Sequence, residues 1–421
     1  MPRWLDPPWR AGPERRDVDT TDLWAASGAQ WLTDPAVGVP VRLVRTTLDL
    51  VEYLDRRGAA LADEYPARGV GILASRADAL QIGPAAGLTS CGGATRFVRS
   101  RDGWLAVSLA REEDRASVPA WLASPVEDPA NPWADVAAAA EHRDAGELVE
   151  RAALLGIPCS RVGEVAGRRG VLLHPAGSAT ARPLAGMTVV NLGSLWAAPL
   201  AGDLLARLGA RVVKVESTTR PDGARATAGF YDLLNRRSQS VALPLAASAG
   251  RARLAALLAR ADVVIEGSRP RALRQMGIDA PALLAAGPRI WVSITSHGRA
   301  EPAALRVGFG DDTAAAGGLV GWTSARADRE PRFVGDAVAD PLTGLTTAAT
   351  VAHLAATGGR WLVDVALARV AAEAREPAGR PWPAARSDPA RPPTLVAGSH
   401  GNAGCLGRDT AAVLESMGID T

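Results

Sequence analysis

The chain has 421 residues, of which 47% are hydrophobic and 22% charged. This composition excludes a wholly disordered chain, and the length predicts two to three domains. The 47 Lys and Arg residues nearly balance the 45 Asp and Glu residues, leaving a net charge of +2. The charge therefore gives no indication of a nucleic-acid or membrane partner.

The three cysteines, Cys91, Cys159 and Cys405, lie far apart. They form no CxxC pair, so we expect neither a metal site nor a disulfide framework. The first residues lack the apolar centre of a signal peptide, and no uninterrupted apolar run approaches the length of a transmembrane helix. These patterns predict a soluble, cytoplasmic protein.

Residues 1–180 are rich in Trp, Pro and Gly, and most of this zone is irregular. Residues 95–109 are the exception, because two β-favouring apolar runs surround an Arg-Asp-Gly turn and predict a hairpin. Helical patterns follow at 132–142 and 145–155, and residues 157–162 predict a short strand. The small, polar residues 177–184 are typical of a linker.

After this linker, apolar strands alternate with helical patterns. The predicted strands are 187–192, 211–216, 262–266 and 289–295, and the predicted helices are 199–208 (closed by Gly209), 249–260 and 271–276. This alternation is typical of an α/β fold, namely a Rossmann-like, open, mostly parallel sheet.

The last third predicts a strand at 333–339, a helix at 341–356 and a strand at 360–365. The Pro-rich residues 375–393 predict a loop, and residues 407–418 predict a short amphipathic helix. We see no short-period repeat.

Asp340 is the main candidate for chemistry. It follows an apolar predicted strand and precedes Pro341, a residue suited to the first position of a helix. It could therefore be an N-cap that accepts backbone hydrogen bonds. The same position could also keep a carboxylate ionised for use as a nucleophile. The residues alone leave both interpretations open.

Other candidates are weaker. The turn 193–199 follows a strand and could bind a ligand or serve packing. Asp336 would share a strand face with Asp340, but four residues of strand span roughly 13 Å, too far for a carboxylate pair. His297 follows a predicted strand end and could lie near a ligand. Cys91 is more typical of a turn cysteine than of a nucleophile.

Ordered motifs resemble class III CoA-transferases, the CaiB/BaiF family. Residues 186–216 (GMTVVNLGSLWAAPLAGDLLARLGARVVKVE) resemble the opening βαβ unit of that family. The matching segments then continue in family order: 233–243, 261–277, 288–295, 306–319, the Val-Ala-Asp step at 338–340, and 359–367. The resemblance implies a Rossmann-like large domain with a second, smaller α+β domain.

The resemblance implies that Asp340 attacks an acyl-CoA thioester and forms an aspartyl anhydride, which CoA converts into an aspartyl-CoA thioester for transfer to a carboxylic acid. CoA would be carrier and substrate, with no metal, and residues 308–318 are a candidate lid. The implied CoA contacts are Leu195, Trp196, Ala197, Lys214, Leu243, Gly267, Ser268, Arg269, Arg274 and Met276.

The domain order differs from that of the family. Residues 95–107 and 156–165 resemble segments that usually follow the catalytic core, so the chain resembles a permuted member. We predict an N-terminal region at 1–175 with the smaller domain at about 90–165, a large domain at 184–371, and a loop and helix at 372–421. The resemblance also implies a homodimer.

Departures from the family leave two alternatives. An α-methylacyl-CoA racemase would carry a histidine in a Gly-His-Asp step, where this chain has Gly308-Phe309-Gly310-Asp311, and phenylalanine cannot accept a proton. Ser217, Ser238, Gln239, Gly267 and Ser268 replace residues that are common at CoA contacts, which leaves a non-catalytic CoA-binding protein as the other alternative.

Overall fold

The apolar runs of the second half of the chain form the parallel strands of one large sheet. The computed structural model describes residues 1–10, 18–167, 169–267, 270–323, 329–377, 382–386, 391–395 and 401–420. Its strands are β1 (Arg3–Trp4), β2 (Thr95–Ser100), β3 (Gly103–Ser108), β4 (Cys159–Arg161), β5 (Val171–Gly177), β6 (Thr188–Asn191), β7 (Arg211–Ser217), β8 (Ser238–Leu243), β9 (Val263–Glu266), β10 (Ile290–Thr295), β11 (Gly321–Trp322), β12 (Pro331–Arg332) and β13 (Arg360–Ala366).

The large sheet has eight strands in the order β1-β5-β13-β10-β9-β6-β7-β8. From β13 to β8 all neighbours are parallel, whereas β5 pairs antiparallel with β13, and β1 with β5. The predicted fold class is confirmed.

Helices cover both faces of this sheet, and others pack against a second, antiparallel sheet. They are α1 (Thr20–Ala26), α2 (Ala29–Leu32), α3 (Val41–Asp55), α4 (Leu61–Glu64), α5 (Ser75–Leu80), α6 (Glu112–Ala116), α7 (Val118–Leu122), α8 (Trp133–Glu141), α9 (Ala145–Leu155), α10 (Ala197–Arg207), α11 (Ala228–Asn235), α12 (Ser248–Arg260), α13 (Pro270–Gln275), α14 (Ala280–Ala286), α15 (Gly310–Ala316), α16 (Ala339–Thr357), α17 (Leu367–Ala374) and α18 (Thr410–Ser416), with short 3₁₀ turns at Val70–Ala74, Gly223–Ala226 and Ala303–Leu305.

Side chains of successive strand residues point to opposite faces, so both faces of the sheet carry a core. Val189 packs in one core with residues of α3, α10 and α16. Its neighbour Val190 packs in the other core with residues of α12, α14 and α18. This double covering explains why the parallel strands are continuous apolar runs.

A separate antiparallel sheet, β2-β3-β4, forms between residues 90 and 165 and confirms the predicted hairpin. One face packs against α7, α8 and α9 around the buried Trp121. The other face packs against Ala315, Val320 and Phe333. The rings of Phe97 and Phe333 stack there with centroids 4.0 Å apart. We call residues 90–165 the smaller unit.

The N-terminal residues contain more regular structure than the sequence predicted. Helix α3 is amphipathic and buries eight of its residues, largely in the core that it shares with α16. Strands β1 and β5 precede residue 184 but belong to the large sheet, so the linker pattern at 177–184 begins only as β5 ends. The division into three domains stays a prediction.

The strand predicted at 333–339 is wrong. Only Pro331–Arg332 is extended in β12, and residues 335–338 form a turn in which Gly335 and Ala337 have φ values of +63° and +43°. The chain reverses here and enters α16 two residues earlier than predicted. The candidate lid at 308–318 contains α15, all of whose residues are buried. The loop predicted at 375–393 falls partly outside the described residues.

Candidate active site

A cavity of about 390 Å³ lies where the parallel strands of the large sheet end. The turn after β6, the residue after β9 and the end of β10 contribute to its wall, which is where open α/β sheets bind ligands. The start of α16 and the segment before α15 complete it. Its lining residues are Arg111, Leu192, Gly193, Ser194, Leu195, Ala197, Ala198, Gly267, Ile294, Thr295, Ser296, Gly298, Ala304, Arg306, Val307, Gly308, Phe309, Asp340 and Leu367.

Asp340 is the only carboxylate among these lining residues. It lies in the first turn of α16, whose N-cap position belongs to Val338, so the N-cap interpretation of Asp340 is wrong. Its carboxylate instead lies against Gly310, at the start of α15, and the backbone N–H there favours the ionised form. A side chain at Gly310 would collide with this carboxylate and with the Ala337 carbonyl oxygen. The glycine therefore permits the contact.

The surroundings of Asp340 disfavour its charged form. Although the residue keeps partial exposure at the cavity wall, burial of its carboxyl raises the pKa to about 7. The negative charges of Asp311 and Asp336 act in the same direction, while Arg76 and the Gly310 N–H oppose them. Asp340 is therefore a carboxyl group that titrates near neutral pH.

Two further carboxylates, Asp311 and Asp336, and the Arg76 guanidinium act on Asp340 without lining the cavity themselves. Arg76 donates from Nε to Asp336 Oδ2 at 2.9 Å and from Nη2 to Oδ1. Asp311 accepts from the Ala337 N–H at 3.0 Å, and burial raises its pKa to about 6. The strand assumed between Asp336 and Asp340 is wrong, because the chain turns there. The charge of Asp336 raises the pKa of Asp340, whereas a direct pair of the two carboxylates stays discounted.

Sequence reasoning missed Arg76 and Asp311 as part of the site. Asp311 lies in the segment already compared with racemases, one residue after Gly310, and could have been considered there. Arg76 lies 260 positions from its partner Asp336, and no local pattern distinguishes it. Its guanidinium also lies over the Trp196 ring, 5.6 Å from the centroid.

A network of hydrogen bonds fixes the turn after β6. Leu195 has a φ of +68°, and its N–H donates to Asp222 Oδ1 at 3.0 Å. The buried Lys214 ammonium pairs with Asp222 Oδ2 at 2.7 Å and donates to the Gly193 carbonyl. Asn191 accepts from the Gly193 N–H at 3.0 Å. This turn is therefore fixed before any ligand binds.

The structure brings only some of the predicted CoA contacts to the cavity. Leu195, Ala197 and Gly267 line it. Trp196 is buried against Phe230, with ring centroids 5.4 Å apart. Lys214 lies beneath the turn, in the ion pair just described.

The remaining predicted contacts lie elsewhere. Leu243 is buried in the core on the other face of the sheet, and Met276 packs against that core. Arg274 is exposed. Ser268 and Arg269 lie outside the described residues. The roles of all ten residues in CoA binding stay predictions.

The two other nucleophile or base candidates, His297 and Cys91, are not among the residues that line the cavity. His297 is buried with its Nε2 3.4 Å from Ser160 Oγ, and burial lowers its pKa well below the usual range. Burial likewise raises the pKa of the Cys91 thiol. Phe309 does line the cavity, and its ring offers no proton acceptor at the position where a racemase has its base.

Residues 184–391 match the model of CoA-transferase family III. This part of the chain belongs to that family. The recognition made from the ordered motifs at residues 186–367 is thereby confirmed, whereas the permuted domain order stays a prediction.

Known proteins show the same likeness. A succinate–glutarate CoA-transferase of Agrobacterium fabrum is 30% identical over 204 residues, which cover 44% of this chain and 51% of that protein. A succinyl-CoA–D-citramalate CoA-transferase of Chloroflexus aurantiacus is 32% identical over 184 residues, or 42% of this chain and 44% of that protein. The chain spans about half the length of the curated relatives it matches.

A solved CAIB/BAIF family protein from Brucella suis is 33% identical and covers 46% of this chain and 55% of its own, with a TM-score of 0.41. Within the described part of the chain, no helix is long and apolar enough to cross a membrane. The described residues also contain no group of three or more His, Cys, Asp or Glu side chains arranged to hold a metal ion.

Proposed function

We propose that this protein is a CoA-transferase that uses Asp340 as its nucleophile. The observation that carries the proposal is the position of this carboxylate. Among the described residues it is the single carboxylate on the wall of a cavity at the strand ends, and it lies in the segment that matches CoA-transferase family III. The substrates would be an acyl-CoA and a carboxylic acid, with CoA as the carried group.

The first half of the reaction would free the donor acid. The ionised carboxylate of Asp340 attacks the thioester carbonyl, a C–O bond forms, and the C–S bond breaks to release CoA thiolate. The thiolate then attacks the aspartyl carbonyl of this mixed anhydride. The donor acid leaves as its carboxylate, and an aspartyl-CoA thioester remains.

In the second half of the reaction, the acceptor acid goes through the same two steps in reverse order. The acceptor carboxylate displaces CoA thiolate from Asp340, and the thiolate then attacks the acceptor's carbonyl and returns Asp340 as a carboxylate. Each step exchanges one anion for another, so no net proton transfer is required. The partial burial of Asp340 fits an anhydride that water would hydrolyse.

The Gly310 N–H has a defined part in this scheme. It lies against the carboxylate of Asp340 and favours the ionised form, which is the form that attacks. Since α15 begins at Gly310, the N-terminal end of that helix also faces the anion. These contacts support nucleophilic use of a carboxyl group whose burial opposes ionisation.

The decisive test compares wild-type protein with Asp340→Asn. Incubation of the wild type with an acyl-CoA at pH 8, followed by acid quench and intact-mass measurement, is expected to show a covalent adduct that peptide mapping places on Asp340. Asparagine has nearly the same shape but is a poor nucleophile, so Asp340→Asn is expected to fold, bind CoA and form no adduct.

Two results would contradict the proposal. Acyl exchange at wild-type rate in Asp340→Asn would exclude this nucleophile. CoA binding without any adduct in the wild type, across several acyl-CoAs, would favour the non-catalytic alternative. The homodimer and the cytoplasmic location stay predictions, and light scattering over a range of concentrations tests the first.

A further inference from the structure

Arg111, from the smaller unit, lies in the wall of the same cavity as Asp340. It directly precedes α6, and its guanidinium lies 5.7 Å from the centroid of the Phe309 ring. Its Nε donates to both oxygens of Asp114 at 3.0 Å, and its Nη2 donates to the Gly156 carbonyl oxygen at 2.9 Å. Asp114 is itself buried. One edge of the guanidinium is thus held rigidly.

The other edge is free. Within the described residues, Arg111 Nη1 makes no hydrogen bond, and it is not among the buried nitrogens that lack a partner. The side chain is 35% exposed. Arg111 therefore offers two N–H donors of a charged group at the cavity wall, with its orientation already fixed.

Arg306 also lines the cavity but is less exposed than Arg111. Its Nη2 donates to Glu164 Oε1 at 2.6 Å and to the Cys159 carbonyl oxygen at 3.0 Å, and its side chain is only 18% exposed. These bonds connect the segment before α15, which contains Arg306, to the smaller unit. Arg111 is thus the better placed of the two arginines to bind an anion.

We propose that Arg111 binds a second carboxylate on the transferred acyl group and so selects dicarboxylic acids as substrates. This inference rests on the proposed function, because Asp340 marks where the reacting carbonyl lies. A guanidinium binds a carboxylate through charge-assisted hydrogen bonds in a defined geometry. An acyl chain that ends in a methyl group would leave these donors without a partner and displace their water.

The phosphates of CoA are another anion that a guanidinium could bind. They are separated from the thioester by the whole pantetheine arm, however, whereas Arg111 and Asp340 line one cavity of about 390 Å³. A donor that lines the same cavity as the nucleophile is expected to meet the acyl group. The experiment therefore measures acyl preference and CoA affinity separately.

The test uses succinyl-CoA and butyryl-CoA, which differ by a carboxylate in place of a methyl group. In the wild type, the rate of adduct formation on Asp340 is expected to be about tenfold or more higher with succinyl-CoA, the worth of a charged hydrogen bond. The variant Arg111→Gln/Asp114→Asn removes both charges, so no buried carboxylate is left unpaired. It is expected to lose this preference and keep its affinity for free CoA.

A matched control makes the same change elsewhere in the smaller unit. Arg101 and Asp144 form an ion pair at 2.6 Å, with both side chains exposed and neither lining the cavity. Arg101→Gln/Asp144→Asn is expected to keep the wild-type preference. A wild type without the preference, or an Arg111 variant that keeps it, would overturn the inference. Loss of CoA affinity with unchanged preference would assign Arg111 to a phosphate instead.

Failure of the proposed function would look different. If neither acyl-CoA forms an adduct with the wild type, the transferase assignment fails, and calorimetry with free succinate and butyrate decides the role of Arg111. Succinate binding that Arg111→Gln/Asp114→Asn abolishes would support the carboxylate site. Equal binding of the two acids, or no binding of either, would refute it.

Discussion

The ionisation of Asp340 predicts a steep pH dependence for the first covalent step. Its pKa is about 7, and only the ionised carboxylate attacks a thioester. For a single group with this pKa, about one molecule in eleven is ionised at pH 6 and about ten in eleven at pH 8. The rate of adduct formation is therefore expected to rise about tenfold between these two pH values.

The raised pKa of Asp340 follows from the surroundings of its carboxyl group. Burial and two neighbouring carboxylates favour the protonated form, so the carboxyl group loses its proton several pH units above the usual range for aspartate. Rapid-quench measurement with a saturating acyl-CoA, followed by intact-mass analysis, isolates this step from product release. A rate that is flat from pH 6 to 8 and falls only near pH 4 would refute the reasoning.

Substitutions of Arg76 and Asp336 provide a second test of what sets the pKa of Asp340. Arg76→Gln removes a cation that favours ionised Asp340, so the midpoint of the pH–rate profile is expected to rise by about one pH unit or more. Asp336→Asn removes a negative charge and is expected to lower the midpoint. In Arg76→Gln/Asp336→Asn the two effects oppose each other, and the midpoint is expected to lie between those of the single variants.

The double variant also controls for folding, because it leaves no unpaired charge from the Arg76–Asp336 pair. Arg408→Gln is a control for the loss of an arginine at a distant site, since Arg408 is exposed and, among the described residues, pairs only with its neighbour Asp409. It is expected to keep the wild-type midpoint. Equal midpoints in both single variants would show that the cluster does not set the ionisation of Asp340.

The parallel strands were the easiest part of the fold to predict. Strands β6, β7, β9, β10 and β13 are largely buried, and each contains a run of two or more adjacent apolar residues. Strand β8 (SQSVAL) lies at the edge of the sheet and begins with three polar residues, so it was not predicted. Apolar periodicity therefore predicts the centre of this sheet better than its edge.

Apolar periodicity failed to predict the backbone conformation beside the candidate active site. Phe333, Val334, Val338 and Ala339 are all buried, so the apolar pattern correctly indicated burial. It could not indicate the backbone, which turns at Gly335 because left-handed φ values occur there and at position 337. This turn is what brings Asp336 back toward Asp340.

Local sequence patterns could not predict contacts between residues that lie far apart in the chain. The family resemblance indicated Asp340 without showing what surrounds it. Arg76 and Arg111 both precede the segment that matches the family, and they reach the site only because α5 and the smaller unit pack against the large sheet's side of the molecule. Their types and spacing carry no sign of this contact.

Three further variants test the site. Asp340→Asn is expected to raise the Tm more at pH 8 than at pH 5, because a folded-state pKa above the unfolded value means that stability is lost as pH rises through about 7. Equal gains at both pH values would contradict this. Gly310→Ala is expected to slow adduct formation, since a methyl group would displace the carboxylate that the glycine contacts; a normal rate would show that the contact is dispensable. Lys214→Met is expected to lower the free energy of unfolding by about 3 kcal/mol, because it leaves Asp222 buried without its cation. Lys214→Met/Asp222→Asn removes that unpaired charge, and an asparagine oxygen can still accept from the turn, so urea unfolding is expected to show a smaller loss. If the two variants lose equal stability, the buried ion pair is not what fixes the turn at Gly193.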